Sequence, residues 1–230
     1  MAGGLVMFMQ IDPLWREAFA LAWEAFCRGN VPVGCLIVNG AGQVVARGQN
    51  AIFDDHTVTP LAGTDLAHAE MVALSRLRIA EHNTTDYTLY TTLEPCPMCF
   101  GAIAMTGLKQ VRYAARDGVA GSAVLSRATP YLVGKRITLL WEESPLEVFQ
   151  IALSTAFELE RQHPKQQRTL GAWRAHCPAG VQVGGDLFAQ GYFSTAVRDR
   201  WPVEQVYAEV MANLTAKSGA EAAAGLGEVD

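Results

Sequence analysis

No stretch of this 230-residue chain approaches the roughly 18 consecutive apolar residues that cross a bilayer, so a helical membrane protein is not the reading. The opening MAGGLVMFMQIDP lacks a basic segment, and Gln10, Asp12 and Pro13 break its apolar patch. No signal peptide is read there, and the expectation is a cytoplasmic protein. Cysteine is scarce and irregular: Cys27, Cys35, Cys96, Cys99 and Cys177 are odd in number and do not form a secreted disulfide framework. Positive charge is in deficit, with 18 Lys and Arg against 23 Asp and Glu and a net charge of −5. A chain whose main partner is nucleic acid usually carries a basic excess. No internal repeat is present. What the chain does have is hydrophobic mass: half its residues are apolar and 18% are charged, which supports a large core and excludes global disorder.

Residues 13–28 read as an amphipathic helix, with Asp12 as cap and Pro13 at the first position. GCLIVN (34–39) and QVVARG (43–48), separated by Gly40-Ala41-Gly42, read as a hairpin. A polar loop over 53–66 precedes a helix over 69–82. YTLYTTL (87–93) reads as a buried strand and 97–108 as a short helix. Strands follow at 110–115 and 136–141. Alternating strands and helices imply crossovers and a sheet covered on both faces. After Trp141 the pattern turns helical, with helices over 145–162, 186–197 and 202–214. The Pro- and Gly-rich stretch 163–185 reads as an irregular connection. The expected organisation is a domain over 1–144, a helical extension over 145–215 packed on it, and a disordered tail over 216–230.

Two short stretches carry chemistry: HAE (68–70) and LEPCPMC (93–99). Cys96 and Cys99 stand where a strand ends and a helix begins. The free N–H groups and positive dipole of a helix start favour thiolate, the form that zinc binds. His68 stands at another helix start, which makes a three-ligand set. A redox pair is one alternative reading of Cys-x-x-Cys. A closed structural site is another, its fourth ligand drawn from Cys27, Cys35, Cys177, His56, His82, His163 or His176. Glu70 bears on the choice. Residues i and i+2 on a helix point about 200° apart, so Glu70 is no neighbouring ligand; it can instead reach an open coordination position and take a proton from water there. The plain alternative is a carboxylate complementing the helix dipole.

His-x-Glu followed by Pro-Cys-x-x-Cys resembles the zinc-dependent nucleobase and nucleoside deaminases of the cytidine deaminase-like superfamily. PVG (32–34), GQN (48–50), AHAE (67–70), TLEPCPMC (92–99), GAI (101–103), ARD (115–117) and AGS (120–122) stand in that family's order. The likeness covers roughly residues 10–145 and is strongest to the branch of tRNA adenosine deaminases and bacterial guanine deaminases. The resemblance implies an α/β fold: a three-layer α/β/α sandwich with a mixed five-stranded sheet. It implies a homodimer, and Zn²⁺ on His68, Cys96 and Cys99 with water as fourth ligand. Glu70 would be the proton shuttle of a hydrolysis that uses a zinc-held hydroxide and releases ammonia. Asn50, Ala69 and Asp117 would face the substrate, the Asn50 amide both donating and accepting.

The chain departs from the tRNA-editing pattern. Only Gly118-Val119 separates ARD from AGS, and the helix after Pro145 carries Glu147, Glu158 and Glu160. Residues 1–144 hold 11 Lys and Arg against 13 Asp and Glu; residues 145–230 hold 7 against 10. The extension is therefore not expected to be a basic RNA-binding arm. Asp54, Asp55 and Asp65 in the loop before HAE would repel phosphates and could bind purine amino groups, but the preferred reading is that they are solvated loop charges. The expected substrate is a free nucleobase or nucleoside, with tRNA adenosine as the alternative and a non-catalytic zinc module as the second. Phe53, Tyr131 and Trp141 are stacking candidates, each read as core.

Overall fold

A computed structural model of the chain describes residues 8–225 apart from 58, 79 and 144, with side chains described as far as Lys217. Helix α1 (Pro13–Cys27) begins where Asp12 Oδ1 accepts the Leu14 N–H at 2.8 Å, with Pro13 in the first turn. It buries Trp15, Phe19, Ala22 and Trp23. Strands β1 (Gly34–Val38) and β2 (Val44–Gln49) form the antiparallel hairpin, with an irregularity between Ile37 and Val38. β1 also pairs antiparallel with β3 (Thr88–Leu93). β3 runs parallel to β4 (Gln110–Ala115), and β4 to β5 (Thr138–Trp141). The sheet order is β2-β1-β3-β4-β5, the mixed five-stranded sheet expected.

Side chains alternate across β1. Leu36 and Val38 join the core formed with α1, and Cys35 and Ile37 enter a second core. That second core packs helices α2 (Ala69–Leu74) and α3 (Pro97–Thr106) on the opposite face. Helix α4 (Pro130–Lys135) leads into β5. Glycine permits the closest approaches. A Cβ on Gly34 would lie 2.0 Å from the Ala18 carbonyl oxygen, and one on Gly48 would lie 2.0 Å from that of Ala69. The second contact seats the start of α2 directly on β2.

Five helices follow: α5 (Pro145–Arg161), α6 (Gln166–His176), α7 (Pro178–Ala189), α8 (Tyr192–Arg198) and α9 (Val203–Gly225). Phe149, Leu153, Val183, Leu187 and Tyr207 share one core with Trp15, Phe19, Leu36 and Tyr90. The extension and the sheet are thus packed as one hydrophobic unit.

Several sequence expectations are corrected. Residues 163–185 are not an irregular connection but hold α6 and most of α7. Gly180 and Gly184 are packing contacts: a Cβ on Gly184 would lie 2.5 Å from the Ala152 carbonyl oxygen. The stretch 186–197 is two helices, split at Gly191, which takes a φ of 70°. The helix over 69–82 stops at Leu74. The tail expected to be disordered is helical through 225; residues 226–230 lie outside the described residues. Phe53 and Tyr131 are not core, being 48% and 55% exposed. Trp141 is half-buried beneath the Arg116 guanidinium.

Candidate active site

His68 is the N-cap of α2, and Cys96 is the N-cap of α3. Pro97 and Cys99 fall in the first turn of α3. These two helix starts face each other. His68 Nδ1 lies 3.5 Å from Cys96 Sγ and 3.6 Å from Cys99 Sγ, and the three ligand atoms lie within 4.8 Å of one another. Zinc bonds of about 2.0–2.3 Å at tetrahedral angles give ligand separations of roughly 3.3–3.8 Å. The donor set and its spacing therefore fit zinc. Among the described residues no other histidine, cysteine or carboxylate joins the group.

Glu70 lies beside this group and is 4% exposed. Its Oε1 accepts the Thr91 hydroxyl at 3.1 Å, and its Oε2 accepts the Cys99 thiol at 3.4 Å. Burial raises its pKa above the ordinary carboxylate value. A carboxyl raised in this way is suited to both taking and returning a proton. The neighbouring Cys99 side chain, with His68, holds the Cys96 pKa down at about 4. The Cys96 side chain, with burial, pushes the Cys99 pKa up. The hydrogen bond to Cys96 raises the His68 pKa.

A cavity of about 210 Å³ opens on this cluster, lined by Asn50, His68, Ala69, Glu70, Cys96 and Asp117 among others. Every site residue expected from sequence lies on its wall except Cys99, which is fully buried. Asn50 Oδ1 accepts the Ile52 N–H at 3.3 Å. Asp117 Oδ1 accepts the Val119 N–H at 2.9 Å and the Trp173 indole N–H at 3.0 Å.

Sequence reasoning missed Glu94 and the wall supplied by the extension. Glu94 Oε1 accepts the Ala123 N–H at 2.8 Å, and Oε2 accepts the Asp117 N–H at 3.2 Å. It thereby pins the loop that carries Asp117, Val119 and Ala120 into the cavity wall. Phe157 and Glu158 of α5, and Thr169 and Trp173 of α6, complete the lining. Arg116 clamps α5 through Glu147, Nε to Oε1 at 2.8 Å and Nη2 to Oε2 at 2.9 Å. No sequence signal marked the extension residues; Glu94 stood inside a motif read only for its cysteines.

Residues 9–115 match the family model for the cytidine and deoxycytidylate deaminase zinc-binding region. A tRNA-specific adenosine deaminase of Rickettsia bellii is 38% identical over 109 residues, 46% of this chain and 71% of that protein. A tRNA(Ile)-lysidine synthase of Deinococcus radiodurans is 38% identical over 116 residues, 48% of this chain. The match spans only 19% of that longer protein. A solved mutant protein in complex with 8-azaguanine superposes with a TM-score of 0.50 at 22% identity, covering 68% of this chain and 93% of that one, and shows the same fold. The chain belongs to the zinc-binding cytidine and deoxycytidylate deaminase family. His68, Cys96 and Cys99, which lie within the matched residues, are close enough together to be a candidate zinc site.

Proposed function

We propose that the chain is a hydrolytic deaminase that removes an exocyclic amino group from a nucleobase and releases ammonia. One observation carries this reading: a three-ligand zinc set with a buried carboxyl, Glu70, hydrogen-bonded to one of its ligands. Bound zinc would supply Lewis acidity and a water made acidic enough to react near neutral pH. His68, Cys96 and Cys99 would hold the metal. Glu70 would accept the proton of the attacking water and return it to the departing nitrogen, with Thr91 fixing its other oxygen. The Asn50 amide would orient the base. Asp117, held by Trp173 and Val119, would accept from a substrate N–H.

For the substrate, relatives named tRNA-specific adenosine deaminase support adenosine in RNA. A specific observation favours a second reading, a free base or nucleoside. The described cavity lining holds Glu70, Glu94, Asp117 and Glu158 but no Lys or Arg, and its volume of about 210 Å³ suits one base. A homodimer belongs to the same proposal; exposed Met105 and Tyr131, whose hydroxyl meets the Met105 sulfur at 3.3 Å, offer an apolar surface. No helix of the described residues is long and apolar enough to cross a membrane.

An ammonia-release panel over free bases, nucleosides and an adenosine-bearing RNA tests the reading on zinc-loaded protein. Glu70→Ala keeps its zinc and loses turnover on whichever substrate is active. Zinc present without ammonia from any substrate would instead support a non-catalytic zinc module.

A further inference from the structure

A hydroxyl on a helix commonly donates back to the carbonyl three or four residues earlier. Ser75, Thr106, Ser126 and Thr215 do so here, at 2.7–3.0 Å. Ser154, in the middle of α5 and 1% exposed, makes no such bond. Its oxygen accepts instead. Gln150, one turn earlier and fully buried, places Nε2 2.8 Å from the Pro32 carbonyl oxygen and 3.0 Å from Ser154 Oγ. A carbonyl can only accept, so the amide atom facing Pro32 is the nitrogen, and its second N–H goes to Ser154. Gln150 Oε1 has no partner, so the Ser154 proton does not return there. That proton therefore has no protein acceptor among the described residues.

Ser154 also lines the cavity that Asn50, Glu70 and Asp117 line. Gln150 ties it there. Val31 and Val33 belong to the same wall with Pro32 between them, so the bond from Gln150 seats α5 against the cavity. Phe157 and Glu158, three and four residues on, share that face of the helix. The carboxylates on the wall, Glu70, Glu94, Asp117 and Glu158, accept and do not donate when ionised. A base that carries an amino group also carries ring nitrogens with free lone pairs, which need a donor.

We infer that Ser154 is a specificity-determining residue: its hydroxyl, whose oxygen Gln150 holds, donates to a ring nitrogen of the base bound in the cavity. The inference rests on the deaminase reading, which makes the cavity a base pocket. Ser154 lies outside residues 9–115, so this chain's own extension supplies the donor. A buried hydroxyl left without an acceptor carries a desolvation cost. A base lacking the contacted nitrogen is therefore rejected, not merely held by one bond fewer.

The test is equilibrium binding by calorimetry to the zinc-loaded full chain, in a Glu70→Ala background so that no probe is consumed. The probes are adenosine, guanine and cytidine, each beside the deaza analogues in which one ring nitrogen is replaced by C–H. With Ser154 present, the analogue lacking the contacted nitrogen binds about tenfold more weakly than its parent. Ser154→Ala weakens the parent and the other analogues about tenfold, but leaves that one analogue within about twofold. Ser154→Cys keeps a weak donor in the same place and shows the same selectivity at smaller size; it carries the comparison if the alanine variant does not fold. Equal losses on every analogue would mark a purely structural serine and overturn the inference. Parent binding unchanged by Ser154→Ala, or no binding of any probe, would overturn it too. Coupling of Ser154 to one ring nitrogen, with no ammonia released by the chain that retains Glu70, would remove the deaminase reading and leave the donor in place.

Discussion

Replacing Glu147 with Ala tests whether the helical extension holds the candidate active site in place. Glu147 is buried and accepts three N–H groups of Arg116: the backbone N at 3.1 Å, Nε at 2.8 Å and Nη2 at 2.9 Å. Breaking a buried ion pair by removing one partner costs about 3–5 kcal/mol. The Arg116 side chain keeps 34% of its exposure, so water repays part of that loss. It also keeps its stacking on Trp141, 4.0 Å from the ring, and its bond to the His176 carbonyl at 3.0 Å. The net cost is then about 2 kcal/mol. For a chain of this size that lowers the melting temperature by about 4–8 °C. Arg116 immediately precedes Asp117, so turnover falls together with stability. Chemical denaturation of Glu147→Ala, Arg116→Ala and the double variant gives the coupling energy, expected at about 1 kcal/mol or more. A Glu147→Ala protein within about 0.5 kcal/mol of wild type, or a coupling near zero, would refute the clamp.

Trp173→Phe keeps an aromatic side chain but removes the indole N–H that Asp117 Oδ1 accepts. It should lower kcat/KM about tenfold, the equivalent of one such bond, and, because Trp173 is buried in the core, also lower the melting temperature by a few degrees. Cys99→Ser should abolish stoichiometric zinc on elemental analysis, because a serine hydroxyl does not ionise as a thiol does. Retention of full zinc would remove Cys99 from the ligand set. Gly48→Ala places a methyl 2.0 Å from the Ala69 carbonyl oxygen and should cost about 3 kcal/mol and displace His68. A Gly48→Ala protein as stable as wild type would mean that α2 is free to move off the sheet.

The parts of the fold legible in sequence are those where local chemistry and tertiary need agree. Asp12-Pro13 begins α1 as capping rules require, and the hairpin follows its Gly-bearing loop. The misreadings share one cause. Gly180 and Gly184 look like loop punctuation, yet they sit inside α7 because α5 passes too close for a side chain. Propensity is local, and helix–helix distance is not.

His68, Glu70, Cys96 and Cys99 were readable before any coordinates because metal chemistry restricts residue types and short spacings, and both survive in a linear string. The rest of the cavity depended on folding. Asp117 gained its fixed position from Glu94, 23 residues earlier, and from Trp173, 56 residues later. Separations of that size carry no periodicity and no motif. They are set by which surfaces the core brings together: here the packing of α5 and α6 against β4, which gives the candidate zinc site a wall of this chain's own.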